Sequence, residues 1–267
     1  MSLASTIQKM TRSLPAPVAQ LGESILGDKC YDVLVRDVSF LTPPPYPSEL
    51  APCAQLALSK IIGIGIVVAS SIIKLPQIAK LLSSRSAVGV SIAGTALEAA
   101  SYLGMLSYAV GAGFPFSTYG EQAFLWIQDV SVLLLLLVYS GRSAMAVGVV
   151  PVVLGTAYYL VLDVPGPSMA FRTTLQAVTI PLNLASKIPQ IITIFKSKST
   201  GQLSAVSVFA YMAGSVARVF TTLQEVDDKI VLAGAVLAAL LNGVLVVQMV
   251  MYWGGATPAA DKDKKKK

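Results

Sequence analysis

The chain has 267 residues, of which 54% are apolar and 13% charged, with a mean hydropathy of +0.69; an ordinary soluble domain is about 25% charged, so a water-soluble enzyme is excluded. The net charge of +6 sits at the ends of apolar stretches and in the tail, not on a folded basic face, which excludes nucleic acid as a partner. With no histidine and two cysteines, the usual zinc ligands, the general base and a Ser/His triad are missing, and no GxxxxGK[ST] phosphate loop occurs, so neither a metal, a cofactor nor an enzyme is expected.

Residues 1–54 lack the apolar core of a cleavable signal, and the first span is expected to act as its own insertion signal. Thr42 to Pro47, reading TPPPYP, is expected to be a stiff extended linker. Cys30 and Cys53 both fall in this segment; a disulfide and two unpaired thiols are both open readings, since sequence gives no Cα separation. Beyond it, apolar windows near the roughly 20 residues that cross a bilayer core are placed at 57–82, 88–111, 122–141, 144–163, 170–195, 203–224 and 229–253. Gly63 and Gly65 inside the first window serve close helix packing.

Lys80 and Arg85, then Arg142, then Lys196 and Lys198, and finally five lysines of the tail mark one set of connections. The alternate connections hold Glu121, Asp163, Arg172, and Glu225, Asp227 and Asp228 beside Lys229. The positive-inside tendency puts the first set and the C-terminus in the cytosol, and seven crossings put the N-terminus on the lumenal side. Lys264 and Lys265, fourth and third from the end, resemble a cytosolic dilysine retrieval signal, which implies the endoplasmic reticulum.

An internal repeat organises the spans. Lys74, Pro76, Gln77 and Ile78 recur as Lys187, Pro189, Gln190 and Ile191, an offset of 113 residues. At the same offset Arg85 meets Lys198, Ser91 meets Ser204, Asp129 meets Asn242, Tyr139 meets Tyr252 and Gly141 meets Gly254. The expected fold is therefore an all-α membrane protein of seven transmembrane helices: two parallel three-helix-bundle repeats, at 55–142 and 166–254, joined by a linker helix at 143–165. Residues 255–267 form a basic tail. An odd connecting helix keeps both copies in one orientation, with substrate bound at their interface near the midplane.

The paired Pro-Gln dipeptides resemble the PQ-loop superfamily, which includes SWEET sugar carriers and the lysosomal cystine carrier. GDKCYD at 27–32, FPFS at 114–117 with Gly120 and Glu121, TGQLSA at 200–205, and GSVARVFT at 214–221 with Gln224 and Glu225 together resemble the mannose-phospho-dolichol utilisation defect family. That resemblance implies an endoplasmic-reticulum protein needed for using dolichyl-phosphate mannose and dolichyl-phosphate glucose in N-glycan, GPI-anchor and mannosylation pathways. It supplies no molecular mechanism.

Ionisable groups inside a membrane are costly and are functional candidates by default. At 1.5 Å per residue Lys74, Glu98 and Lys187 share a level about 15 Å from the basic connections, with Asp129 and Asn242 about 18 Å away. Lys74 and Glu98 read either as a structural ion pair or as part of a site. Lys187 has no repeat-equivalent acid, because Tyr211 stands where the first repeat has Glu98; a free ammonium there suits a phosphate monoanion. The only two asparagines, Asn183 and Asn242, lie in expected spans, and by resemblance to SWEET-like carriers Asp129 and Asn242 face a sugar pocket. Arg218 reads as a phosphate clamp or as the partner of Glu225. Pro76 and Pro189 are expected to kink their helices, with Gln77 and Gln190 satisfying the freed backbone, which makes a matched pair of hinges.

Three readings follow: a transporter- or scramblase-like protein for lipid-linked sugar; an accessory protein that presents such lipids to glycosyltransferases; and a small-solute carrier of SWEET type. The partners expected are membrane lipid, the two dolichyl-phosphate sugars and, for the accessory reading, glycosyltransferases.

Overall fold

The computed structural model describes residues 3–42, 44–87, 90–162, 166–198 and 205–253, with the side chains of 183–186, 189, 206 and 207 excepted. Lys264 and Lys265, Asp163, Ser204 and Gly254 lie outside the described residues, as do the side chains of Asn183 and Pro189.

The N-terminal unit, Met1–Gly65, is more ordered than a linker. Helices α1 (Leu3–Arg12), α2 (Ala16–Leu26) and α3 (Asp28–Tyr31) are followed by a π turn at Asp32–Arg36 and a 3-10 turn at Ser39–Leu41. Tyr31 is buried and its ring covers Gly22, where a Cβ would come within 2.3 Å of it; only glycine admits that contact. Arg12 pairs with Asp37 at 2.9 Å, Arg36 with Asp32 and Glu23, and Lys29 with Glu49. Cys30 and Cys53 are joined in a disulfide with Cα atoms 5.1 Å apart.

The larger unit, Ile66–Lys267, is all-helical among the described residues. It holds the end of α4 (Leu50–Ser70), then α5 (Leu75–Ser84), α6 (Ile92–Gly111), α7 (Phe116–Tyr139), α8 (Ser143–Ala157, continued by a π turn to Leu162), α9 (Met169–Ser197), α10 (Ala205–Glu225) and α11 (Lys229–Met251). Among the described residues four stretches of helix are long and apolar enough to cross a membrane: 50–84, 116–139, 143–162 and 229–251. Helices α6, α9 and α10, at 20, 29 and 21 residues, are long enough at 1.5 Å per residue, but are less apolar, carrying Glu98, then Arg172, Lys187 and Lys196, then Arg218 and Glu225.

The repeat is visible in the packing. In each copy the third helix, α7 or α11, touches both the first and the second, and α6 against α9 joins the copies. Leu81, Val132 and Leu136 form one buried cluster with Ile78 beside it; Ile194, Leu245 and Met249 form another with Ile191. Ile194, Leu245, Met249 and Ile191 are Leu81, Val132, Leu136 and Ile78 advanced by 113, while Val208, also buried in the second cluster, has Thr95 as its counterpart.

The two copies differ at their Pro-Gln dipeptides, and here the matched hinges are corrected. The first span is broken into α4 and α5 by a turn at residues 71–74, where tightened bonds such as Leu75 N–H to the Ile72 carbonyl replace the α-helical pattern. Pro76 has no N–H and its ring crowds the carbonyl four residues back. Helix α9 runs unbroken through position 189. The residue that bridges the opened backbone is Gln128 of α7: it accepts from the Lys74 amide at 2.9 Å and donates to the Ser70 carbonyl at 2.8 Å. Those two groups would bond each other in a continuous helix. Gln77 was the expected partner of the freed backbone; a residue on a different helix takes that place.

Candidate functional site

A cavity of about 210 Å³ lies between the repeats, walled by α6 and α7 on one side and α9, α10 and α11 on the other. Its polar lining includes Thr118, Glu121, Gln122, Gln176, Lys187 and Arg218. On α9 the lining residues Gln176, Thr179, Ile180 and Lys187 recur at helical spacing, so one face of that helix looks into it.

One end of the cavity is bounded by Arg218, which pairs with Glu121 and donates to the Thr118 carbonyl at 3.0 Å. Glu225 attracts Arg218 electrostatically, in line with the expected pairing, and also accepts from the Ser117 hydroxyl at 2.6 Å. Nearby, the Tyr108 hydroxyl donates to the Asp228 carboxylate, whose other oxygen accepts from the Ile230 and Val231 amides and caps α11. All three pairs run between the first repeat and the second. Arg172 of α9 is buried and donates to the Ser107 carbonyl of α6 at 2.6 Å. Gly111 makes room for it, since a Cβ there would meet Arg172 Cδ at 2.6 Å.

Lys187 stands farther down the cavity, donating to Asn242 Oδ1 at 2.6 Å and lying 5.5 Å from the Tyr211 ring centroid. Asn242 donates in turn to the Tyr211 carbonyl at 3.1 Å. Among the described residues no carboxylate lies within ion-pair distance of Lys187. The first repeat is built differently. Lys74 pairs with Glu98 at 2.9 Å and also with Asp129, whose side chain is 1% exposed.

Asp129 and Asn242 therefore hold the lysine of their own repeat at the same sequence separation of 55 residues. Neither lines the cavity, which corrects their placement as pocket walls. The polar lining residues that sequence reasoning missed are Thr118, Glu121, Gln122, Gln176 and Thr179; the helical spacing of polar residues on α9 is the signal that would have found the last two. Among the described residues no cluster of His, Cys, Asp or Glu is fit to hold a metal ion.

A cavity between two bundles, with a cation whose partners among the described residues are neutral, can receive an anionic or hydroxyl-rich molecule. The PQ loop repeat family matches residues 58–118 and 171–231, two segments displaced by the same 113 residues as the internal repeat. Solute carrier family 66 member 3 of Homo sapiens is 30% identical over 182 residues, covering 67% of this chain and 87% of the relative. With the repeat in sequence, in packing and in both family matches, the chain is a multi-pass membrane protein that belongs to the PQ-loop repeat family.

Proposed function

We propose that this protein serves the use of dolichyl-phosphate mannose and dolichyl-phosphate glucose as lumenal sugar donors. It acts in the endoplasmic-reticulum membrane as a transporter- or scramblase-like protein, without covalent chemistry of its own. In this reading seven helices span the bilayer, the N-terminus is lumenal, and Lys264 and Lys265 act as a retrieval signal. The observation that carries it is Lys187, an ammonium on the inter-repeat cavity whose described partners are an amide and an aromatic ring. A phosphate monoanion with a sugar attached offers that ammonium its missing counter-charge, and offers hydroxyls to the amide and hydroxyl groups beside it.

The three polar pairs at the Arg218 end support a barrier on that side, and parting of the repeats there would expose the cavity to the opposite compartment. The family motifs at 27–32, 114–121 and 214–225 support the lipid-linked substrate over a water-soluble one. The name of the human relative, a solute carrier, favours a second reading, a small-solute carrier.

Purified protein in liposomes, with short-chain dolichyl-phosphate mannose placed in one leaflet, separates these readings. Protein-dependent exchange of the lipid between leaflets is expected. Uptake of free sugar without lipid exchange would establish the solute carrier, and neither activity would leave the accessory role of presenting lipids to glycosyltransferases.

A further inference from the structure

Helices α10 and α11 leave an open apolar groove of about 720 Å³ on the second repeat, separate from the cavity just described. Val236, Leu240, Val244, Val247 and Met251 follow one another along α11 at steps of three or four residues, and all are exposed. Met212, Val216 and Val219 of α10 form the facing wall, with Gly243 between. Any apolar face in a bilayer is wetted by lipid chains; this one is distinguished by what closes its end. Phe195 and Tyr252 line that end, and Lys198 Nζ lies 3.9 Å from the Phe195 ring centroid and donates to the Tyr252 hydroxyl at 2.9 Å. An ammonium carries three N–H donors, so one bond to Tyr252 leaves it able to meet a phosphate.

From Val236 to Tyr252 the groove runs about 24 Å at 1.5 Å per residue, whereas one leaflet supplies about 15 Å of hydrocarbon. A chain that ends near the midplane fills only part of it. We propose that this groove binds the chain of a lipid phosphate longer than one leaflet, with the phosphate against Lys198. The assignment rests on the reading that the protein handles lipid-linked phosphates, but it concerns binding alone and fails separately from leaflet exchange.

Native mass spectrometry of the full chain, with polyprenyl phosphate, polyprenol and dipalmitoyl phosphatidic acid as probes, tests it. Polyprenyl phosphate should be retained about tenfold more tightly than either of the others. Gly243→Leu should abolish that preference by filling the groove; a Cβ at Gly243 meets only the Met212 methyl, at 4.0 Å. Val247→Trp, at an exposed position, fills the groove by a second route should the first variant not fold. Lys198→Gln should reduce the phosphate to the level of the alcohol. Equal retention of phosphatidic acid would overturn the length argument, equal retention of polyprenol the phosphate contact, and indifference to both filling variants the groove itself.

Discussion

Gln128 and Leu241 occupy the same place in the two repeats, and only the first can hydrogen-bond an opened helix. Where Gln128 reaches the first span, Ser70 and Lys74 are bridged through its amide; where Leu241 stands, α9 stays continuous. Gln128→Leu is therefore expected to let α4 and α5 close toward a single helix, or to leave two backbone groups without partners at a cost of about 1–3 kcal/mol. Spin labels at the exposed positions Val68 and Leu82 should move apart, or the thermal midpoint in detergent should fall. An unchanged distance together with an unchanged midpoint would remove Gln128 from this role.

The two lysines should respond differently to the same substitution. Lys74→Met leaves the buried Asp129 unpaired and takes a partner from the half-exposed Glu98; breaking the buried Asp129 pair costs about 3–5 kcal/mol, so protein abundance should drop sharply. Lys187→Met removes contacts to neutral groups only, the Asn242 amide and the Tyr211 ring, and keeps the apolar stem; abundance should hold while use of both dolichyl-phosphate sugars is lost. Complementation of cells lacking the protein, with immunoblots in parallel, checks both. Full rescue by Lys187→Met would transfer the ligand contact elsewhere.

Loosening the pairs between the repeats should open the cavity at that end. The two native cysteines are bonded to each other, so a cysteine introduced at Ala238, on the cavity wall, can be read alone. Combining Glu121→Gln with Ser117→Ala and Tyr108→Phe should raise its rate of labelling by a membrane-impermeant maleimide several-fold. No change would mean that these contacts do not restrict access.

The disulfide should matter to the N-terminal unit first. It closes a loop of 23 residues, worth about 3 kcal/mol of chain entropy, and Cys53 is almost wholly buried. Cys30→Ser is expected to make residues 31–52 sensitive to protease at concentrations that leave the second repeat intact. Equal resistance of the variant would show that α1 to α3 hold together without the bridge.

How much of this could be read from the chain depends on how far apart the partners lie. The offset of 113 residues was visible because it preserves residue types, and it carries over to the clusters of Leu81 and Ile194. Pro76 marked a break, since a missing N–H is a local property. The group that bridges the break was not legible, because Gln128 is 54 residues from Lys74 and on a different helix. Arg218 shows the same limit: Glu225, seven residues away, is the partner that the local sequence suggests, while the hydrogen-bonded Glu121 is reached only by bringing the two repeats together at a separation of 97. Near Pro189 a neighbouring helix also supplies an amide, Gln248 donating to the Ile191 carbonyl at 3.0 Å, yet α9 stays continuous there; a proline in the sequence does not by itself reveal whether its helix breaks.

The two lysine sites also differ in formal charge. Two carboxylates on Lys74 give the first lysine site one excess negative formal charge, while Lys187 on Asn242 gives the second one positive. The two lysine sites thus set up a sideways dipole across the repeat axis. An arriving anion is pushed from one bundle and pulled toward the other, so two copies of one ancestral unit present an incoming ligand with a single preferred side.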